Sequence, residues 1–444
     1  MKWPWPWIRK PAAWPGFVWT VANRLHDPVR IDEGELSDRM MDFLAQAPLY
    51  VLPFLLVLTL VVTIHELGHF LVARAFGVKI DRFAIGFGRG LLSRTDRHGT
   101  EWRLGWIPLG GYVKFSGDLD PSSVPDQAGL AELKGRIIAE QGPEAIRDYF
   151  HFKPVWQRAL IVLAGPMANF VLAIFIFTLL FSLIGVQILP ARVSEVAAGG
   201  PAAAAGFQSG DLITGINGRR IEDSRDVTRI VSLSSGDRLR FMVERGGEEL
   251  TLTAVPERET VTDPVAGRIT VGRIGLGLLP AVDEIRHVRY GPIAAVGQAA
   301  SQTGDVLATS IRYIGRIFMG RESGDQLSGP IGIAKASGAL TNAAVEANPD
   351  PGATVFNLIV TMTSFAAILS IGIGFLNLLP IPILDGGHLV FYGYEAVAKK
   401  PVAARFQEAG FRVGLALLAG LMLFATWNDL QKLNLFKFLG GLAS

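Results

Sequence analysis

Leu49-Tyr50-Val51-Leu52-Pro53-Phe54-Leu55-Leu56-Val57-Leu58-Thr59-Leu60-Val61-Val62-Thr63-Ile64-His65-Glu66-Leu67-Gly68-His69 is the stretch on whose reading the fold turns. No charged residue occurs from Phe43 to Ile64, so the run predicts a membrane-spanning helix. It ends in His65-Glu66-Leu67-Gly68-His69. On a helix, residues i and i+4 share a face, so both imidazoles can reach one zinc ion, and the intervening glutamate can activate water there. Two imidazoles and a carboxylate are costly at bilayer depth, which makes a function their default reading. The pattern predicts proteolysis inside the membrane, with His65 and His69 as metal ligands and Glu66 as the catalytic group. A packing role would leave Glu66 buried without a partner.

The rest of the chain supports a membrane setting. Of 444 residues, 50% are hydrophobic and 18% charged, with a mean hydropathy of +0.34. The apolar residues come in blocks, which predicts a polytopic α-helical membrane protein with about four spans, at 49–76, 158–189, 352–384 and 409–428. The fourth tolerates Arg412 only if that side chain reaches the interface. A net charge of +2 offers no case for nucleic-acid binding. The absence of cysteine excludes disulfides, a thiol nucleophile and thiolate-bound zinc, and leaves His, Asp and Glu as metal ligands. Residues 1–48 interleave Lys2, Arg9 and Lys10 with Trp3, Trp5, Trp7 and prolines. They read as a segment lying at a membrane interface, with a disordered tail as the alternative, and not as a cleaved signal peptide.

Between the spans, residues 77–157 are polar. Ala84–Gly88 and Trp102–Ile107 flank the Asp96-Arg97-His98-Gly99 turn and predict a β-hairpin region, followed by a partly helical polar loop. An excess of Lys and Arg over Asp and Glu favours a cytoplasmic side for it. Residues 190–260 carry Gly206-Phe207-Gln208-Ser209-Gly210-Asp211-Leu212-Ile213 and then Ile216-Asn217-Gly218. This resembles a PDZ domain, an α+β module that binds extended peptide at a sheet edge. Residues 261–351 read as a β segment and an amphipathic membrane-surface helix around Tyr290–Phe318, ahead of Leu327-Ser328-Gly329-Pro330-Ile331-Gly332-Ile333. Residues 385–408 read as a loop and 429–444 as a tail.

Two histidines do not complete a catalytic zinc site, which commonly has three protein ligands. The best third candidate is Asp385, in Asn377-Leu378-Leu379-Pro380-Ile381-Pro382-Ile383-Leu384-Asp385-Gly386-Gly387-His388. The first and third spans run parallel, so the late end of each falls near the same membrane face. His388 competes for the place, because imidazole is the commonest metal ligand. Asn377, polar within an apolar helix, could orient substrate or an oxyanion, or bond a neighbouring helix. Gly165-Pro166-Met167-Ala168-Asn169 in the second span offers a small surface and an amide for close packing. Histidines 26, 98, 151 and 287 sit in polar stretches and read as solvated.

Together the HELGH pentad, Gly165–Asn169, the PDZ-like insert and Asn377 through Asp385-Gly386-Gly387 resemble the site-two protease family, and within it the bacterial regulator-of-sigma-E group of intramembrane zinc metalloproteases. Phe83–Gly88, Ile107–Lys114, Lys153–Phe170 and Leu327–Ala334 are also similar to that group. The resemblance implies that His65, His69 and Asp385 hold Zn2+ and that Glu66 is general base and later proton donor. It implies a membrane-associated β region over Ile85–Lys114 that receives substrate as an added strand, with Gly110, Gly111, Tyr112, Asn377 and Asn169 as substrate contacts. It implies a bacterial inner-membrane protein whose active site faces the cytoplasm. The PDZ-like domain would then be periplasmic, contacting substrate tails and filtering them by size. Substrates would be single-span proteins already trimmed, such as membrane-bound anti-sigma factors or remnant signal peptides, in regulated proteolysis of a stress response. Some members carry two PDZ copies where this chain shows one, and the N-terminal extension is unusual. Rival readings are a metal transporter and a non-catalytic membrane PDZ scaffold. Neither Gly-x-Ser-Gly nor Gly-x-Gly-Asp is present, which disfavours serine and aspartyl intramembrane proteases.

Overall fold

The computed structural model describes residues 33–117, 127–263, 267–280, 282–322, 324–347 and 350–432. The chain divides into two units, Met1–Ala45 and Gln46–Ser444, and the account below concerns the second. The Trp-rich stretch read as interfacial and the tail beyond residue 432 lie outside the described residues.

Helix α1 (Glu33–Ala75) carries the first long apolar stretch, Val51–Ala75. It stops because Gly77 turns to φ +66°, and the amides of Gly77 and Val78 bond back to the carbonyls of Arg74 and Ala73. That double bond closes the orphan carbonyls of the last turn, and a side chain at position 77 would strain it. The chain then forms β1 (Ile80–Thr95) and β2 (Glu101–Phe115), joined by the turn at Asp96–Gly99. Residues Arg82–Ile85 have partners on both sides: Glu101–Leu104, advancing in the same direction, and Lys114–Gly111, running opposite. Both strands therefore fold back on themselves, and residues 92–95 and 111–115 become the outer lanes. Phe83 and Trp102 from this sheet pack edge-on against Phe70 of α1. Arg74 at the end of α1 bonds Asp96 in the turn at 2.7 Å, and this contact holds the Asp96 carboxyl well below its ordinary pKa.

After α2 (Gln127–Gln141), α3 (Val155–Leu179) runs on through one π turn at Leu180–Ile184. An α/β unit follows. Its strands are β3 (Val186–Ile188), β4 (Val193–Val196), β5 (Leu212–Ile216), β6 (Arg219–Arg220), β7 (Leu239–Arg245), β8 (Glu248–Ala254), β9 (Glu257–Asp263), β10 (Gly267–Arg273), β11 (Leu276–Leu278) and β12 (Arg286–Val288), with helices α4 (Pro201–Ala204) and α5 (Ser224–Ser232). The central sheet is ordered β6-β5-β7-β8, while β4 pairs β11, β9 pairs β10, and β3 pairs β12 to close the unit at its base. Strand β7 alternates buried and exposed residues, so Leu239, Phe241 and Val243 join Phe207, Ile213 and Val227 in the unit's core.

Five helices complete the described residues: α6 (Pro292–Phe318), α7 (Pro330–Glu346), α8 (Pro351–Asn377), α9 (Asp385–Ala398) and α10 (Ala404–Lys432). Four helical stretches among the described residues are long and apolar enough to cross a membrane: Val51–Ala75, Val155–Ile184, Pro351–Asn377 and Ala404–Gln431. The molecule is an integral membrane protein. α3 sits at the centre of the helical part and packs on α6, α8 and α9.

Three expectations need correcting. The third span does not continue to residue 384: α8 ends at Asn377 and residues 378–384 turn, because Pro380 and Pro382 have no amide to extend the helix. Residues 385–408, expected as a loop, contain α9. Beyond the helix expected near residues 290–318 lies a second, α7, whose first turn donates the Gly332 amide to Asp429 of α10 at 2.7 Å.

Candidate metal centre

α1 presents His65 and His69 one turn apart toward α3, and the break after α8 brings Asp385 to them as the first residue of α9. The two helices can approach because both contact positions are glycine. A Cβ on Gly68 would overlap the carbonyl of Ala164, and one on Gly165 would overlap Nε2 of His69. Gly386 and Gly387 serve the same end on the other side, since a Cβ on either would strike the carbonyls of Leu378, Leu379 or Ile381. Small residues at such contacts are what close helix packing in lipid requires.

Nε2 of His65 lies 3.2 Å from Nε2 of His69 and 3.2 Å from Oδ2 of Asp385, and the His69–Asp385 separation is 3.5 Å. Bonds of about 2.0–2.1 Å to a tetrahedral zinc place ligand atoms about 3.3–3.4 Å apart, so these three positions fit three corners of that tetrahedron. The chemistry of the donors agrees. Oδ2 of Asp385 is buried without a hydrogen-bond partner. Nδ1 of His69 lies 2.9 Å from the Ile161 carbonyl, to which it can only donate, and this leaves Nε2 free for a metal. Among the described residues these three are the group able to hold a metal ion. His388 is not part of it. Its ring lies instead against Tyr392 and Phe411, and burial pushes its pKa down, toward the neutral form.

Glu66 stands beside the triad, with its carboxylate next to the backbone of Val113 in β2. A cavity of about 400 Å³ opens onto His65, Glu66, His69, Tyr112, Asn377 and Asp385. Larger cavities, of about 780 and 590 Å³, lie about the α/β unit and contain none of these groups. Asn377 reaches within 3.5 Å of Nε2 of His65 through Nδ2. Gly111 backs onto Glu66, and Gly110 packs beside Phe87 and Val62. Asn169 differs from expectation: it is 0% exposed, so it offers a substrate nothing to touch, and its amide faces His65 instead. The role of the Ile161 carbonyl had no signal in the sequence, since any residue supplies one.

Helices long and apolar enough to cross a membrane, with two imidazoles and a carboxylate at ligand spacing among them, define an integral membrane protein with a group able to hold a metal ion. Residues 53–421 match the model of peptidase family M50, and the chain belongs to that family, the site-2 proteases. It is 49% identical over 388 residues to Metalloprotease MmpA of Caulobacter vibrioides, covering 87% of this chain and 97% of that protein. A protein of Agrobacterium fabrum that carries a provisional zinc-metalloprotease name is 42% identical over 384 residues, 86% of this chain and 96% of its own. A similarly named protein of Rickettsia conorii is 33% identical over 389 residues, 88% and 100% of the two chains. The chain is a zinc metalloprotease.

Proposed function

We propose that this metalloprotease cleaves peptide bonds in or near the transmembrane segment of single-span proteins, with His65, His69 and Asp385 holding the zinc and Glu66 as catalytic residue. The observation that carries the reading is the tetrahedral spacing of the three ligand atoms beside Glu66, at the end of a membrane-spanning helix. Zinc, when bound, supplies Lewis acidity to water and to the scissile carbonyl. Glu66, on the cavity wall beside the two histidines, takes the proton of the attacking water and returns it to the leaving amine. Asn377, on the cavity wall next to His65, donates to the carbonyl oxygen as charge develops there.

A helical peptide bond is shielded by its own hydrogen bonds and must be unwound before attack. The lane 111–115 has a strand partner on one side in the register, which supports substrate joining there as an added strand past Gly110, Gly111 and Tyr112. Residues 77–157 then form a membrane-associated β region and polar loop, and 190–260 a PDZ-like domain that contacts substrate tails and excludes large outer domains. The protein resides in a bacterial inner membrane, with the site toward the cytoplasm and the PDZ-like domain in the periplasm. Its substrates are already trimmed, anti-sigma factors and remnant signal peptides among them, in regulated intramembrane proteolysis.

The test is cleavage of a single-span model substrate in detergent by wild type and Glu66→Gln, with bound zinc measured in both. The variant keeps its zinc and loses about 10²–10⁴-fold in rate. Equal cleavage by the two proteins would sink the mechanism.

A further inference from the structure

We infer that Asn169 is a positioning residue for the metal: its side-chain carbonyl accepts the Nδ1–H of His65 and holds that ring in the tautomer whose Nε2 can coordinate. The inference rests on the reading of His65 as a ligand. Asn169 lies in α3, fully buried, with one amide atom 3.2 Å from Nδ1 of His65 and the other, Oδ1, without a partner. Which end of an amide is nitrogen is assigned from its hydrogen bonds, so the chemistry of the pair decides.

With Nδ2 toward His65, Nδ1 of the ring must accept, and the ring proton sits on Nε2. That proton would then point into the 3.2 Å gaps toward His69 and Asp385, where a metal needs a lone pair. With the amide turned, Oδ1 accepts from Nδ1–H and Nε2 is bare. The turn exchanges an unpartnered acceptor for an unpartnered donor, so the ring proton alone separates the two states. His69 reaches the same tautomer by a different route, through the Ile161 carbonyl. Ser370 Oγ donates to the Asn169 backbone carbonyl at 2.9 Å, and a Cβ on Gly374 would approach Asn169 Cβ to 3.1 Å, so α8 pins the residue from behind.

Two near-isosteric substitutions separate this role from packing. Asn169→Leu keeps the size and removes the acceptor; Asn169→Asp keeps the acceptor and removes the donor. The zinc affinity of purified full-length protein is measured by chelator competition, and the visible spectrum of the cobalt-substituted protein reports the ligand geometry. Asn169→Leu lowers zinc affinity by about 10–100-fold and alters the cobalt spectrum, whereas Asn169→Asp stays within a few-fold of wild type. If Asn169→Leu does not fold, Asn169→Ala takes its place with the same expected loss. Wild-type affinity in the acceptor-free variant, or an equal loss in Asn169→Asp, overturns the inference. His65→Ala serves as the control: zinc retained there refutes the ligand reading itself, while zinc lost there and kept in Asn169→Leu refutes only the role of Asn169.

Discussion

Asp211 and Asp385 are both withdrawn from water, one in the α/β unit and one in the helical part, and their surroundings differ in kind. Asp211 is fully buried and accepts from Nε and Nη2 of Arg245 at 2.6 and 2.8 Å and from the Gln208 amide at 2.9 Å. Asp385 leaves Oδ2 without a donor and turns it to two imidazole nitrogens. A buried carboxylate with its hydrogen bonds complete holds a turn together; one left incomplete beside nitrogen lone pairs is set for a cation. The interiors around them share large apolar side chains, Phe207, Ile213 and Phe241 in the α/β unit and Phe170, Phe177 and Ile371 in the helical core, but the helical core also sets Ala173, Ala299, Ala366 and Ala367 among them. Water drives the first core together, while in lipid the helices gain by approaching closely.

Substitutions should break this contrast unevenly. The largest effect belongs to Asp385→Ala, which removes a proposed ligand: bound zinc and cleavage both fall to background in metal analysis and substrate assay. Retention of zinc would show the two aspartates to be alike after all. Gly165→Ala comes next, because the added methyl must displace the His69 ring. It lowers zinc occupancy and cleavage roughly tenfold, by the tighter end of what disturbed ligand orientation costs, while the protein still elutes as folded.

Asp211→Ala should do the reverse. It strips hydrogen bonds from a charged group, destabilises the α/β unit by about 2–3 kcal/mol, and leaves zinc content unchanged. Hydrogen exchange confined to residues 186–288 would register it. The smallest effect is that of mild acid. Burial would raise the Asp211 pKa, but the bonds from Arg245 and Gln208 outweigh it and hold the carboxyl below its ordinary value. A group depressed on folding adds stability above its unfolded pKa and loses it as pH falls through the folded one. Protection of the unit's amides, measured relative to their intrinsic exchange rate at each pH, should therefore be flat across neutral pH and fall only below the ordinary carboxylate range. A loss of protection already near pH 6 would point to a different group.

Much of this was open to reading in one dimension. His65 and His69 are four residues apart, so helical geometry alone puts them on one face. The apolar blocks marked spans close to those found, because lipid tolerates so little else over that length. The turn at Asp96–Gly99 also sits between strands. What escaped depends on contacts made far along the chain. The third span reads on past Pro380 and Pro382 to residue 384, although neither proline can extend a helix, and the helix that begins at Asp385 rests on Gly386 and Gly387 fitting under carbonyls of the preceding turns. α7 is capped by an aspartate 97 positions away. Asn169 was expected at a substrate, and burial between helices removed it from reach.

The sequence by itself determined that the chain enters a membrane, that two imidazoles and a glutamate sit at the end of one span, and that no thiol can bind the metal. Those follow from composition and from a fixed 3.6-residue period. The sequence also offered Asp385 as the third ligand; only the tertiary structure decided how closely that carboxylate stands to the histidines, which nitrogen of each ring faces it, and which edge of the folded-back hairpin lies beside Glu66. The physical reason is distance. Asp385 is separated from His65 by most of the chain, and a 3.2 Å separation across it is set by how closely α1 approaches α3 at Gly68 and Gly165 and how α3 packs on α8 and α9, which no local pattern encodes.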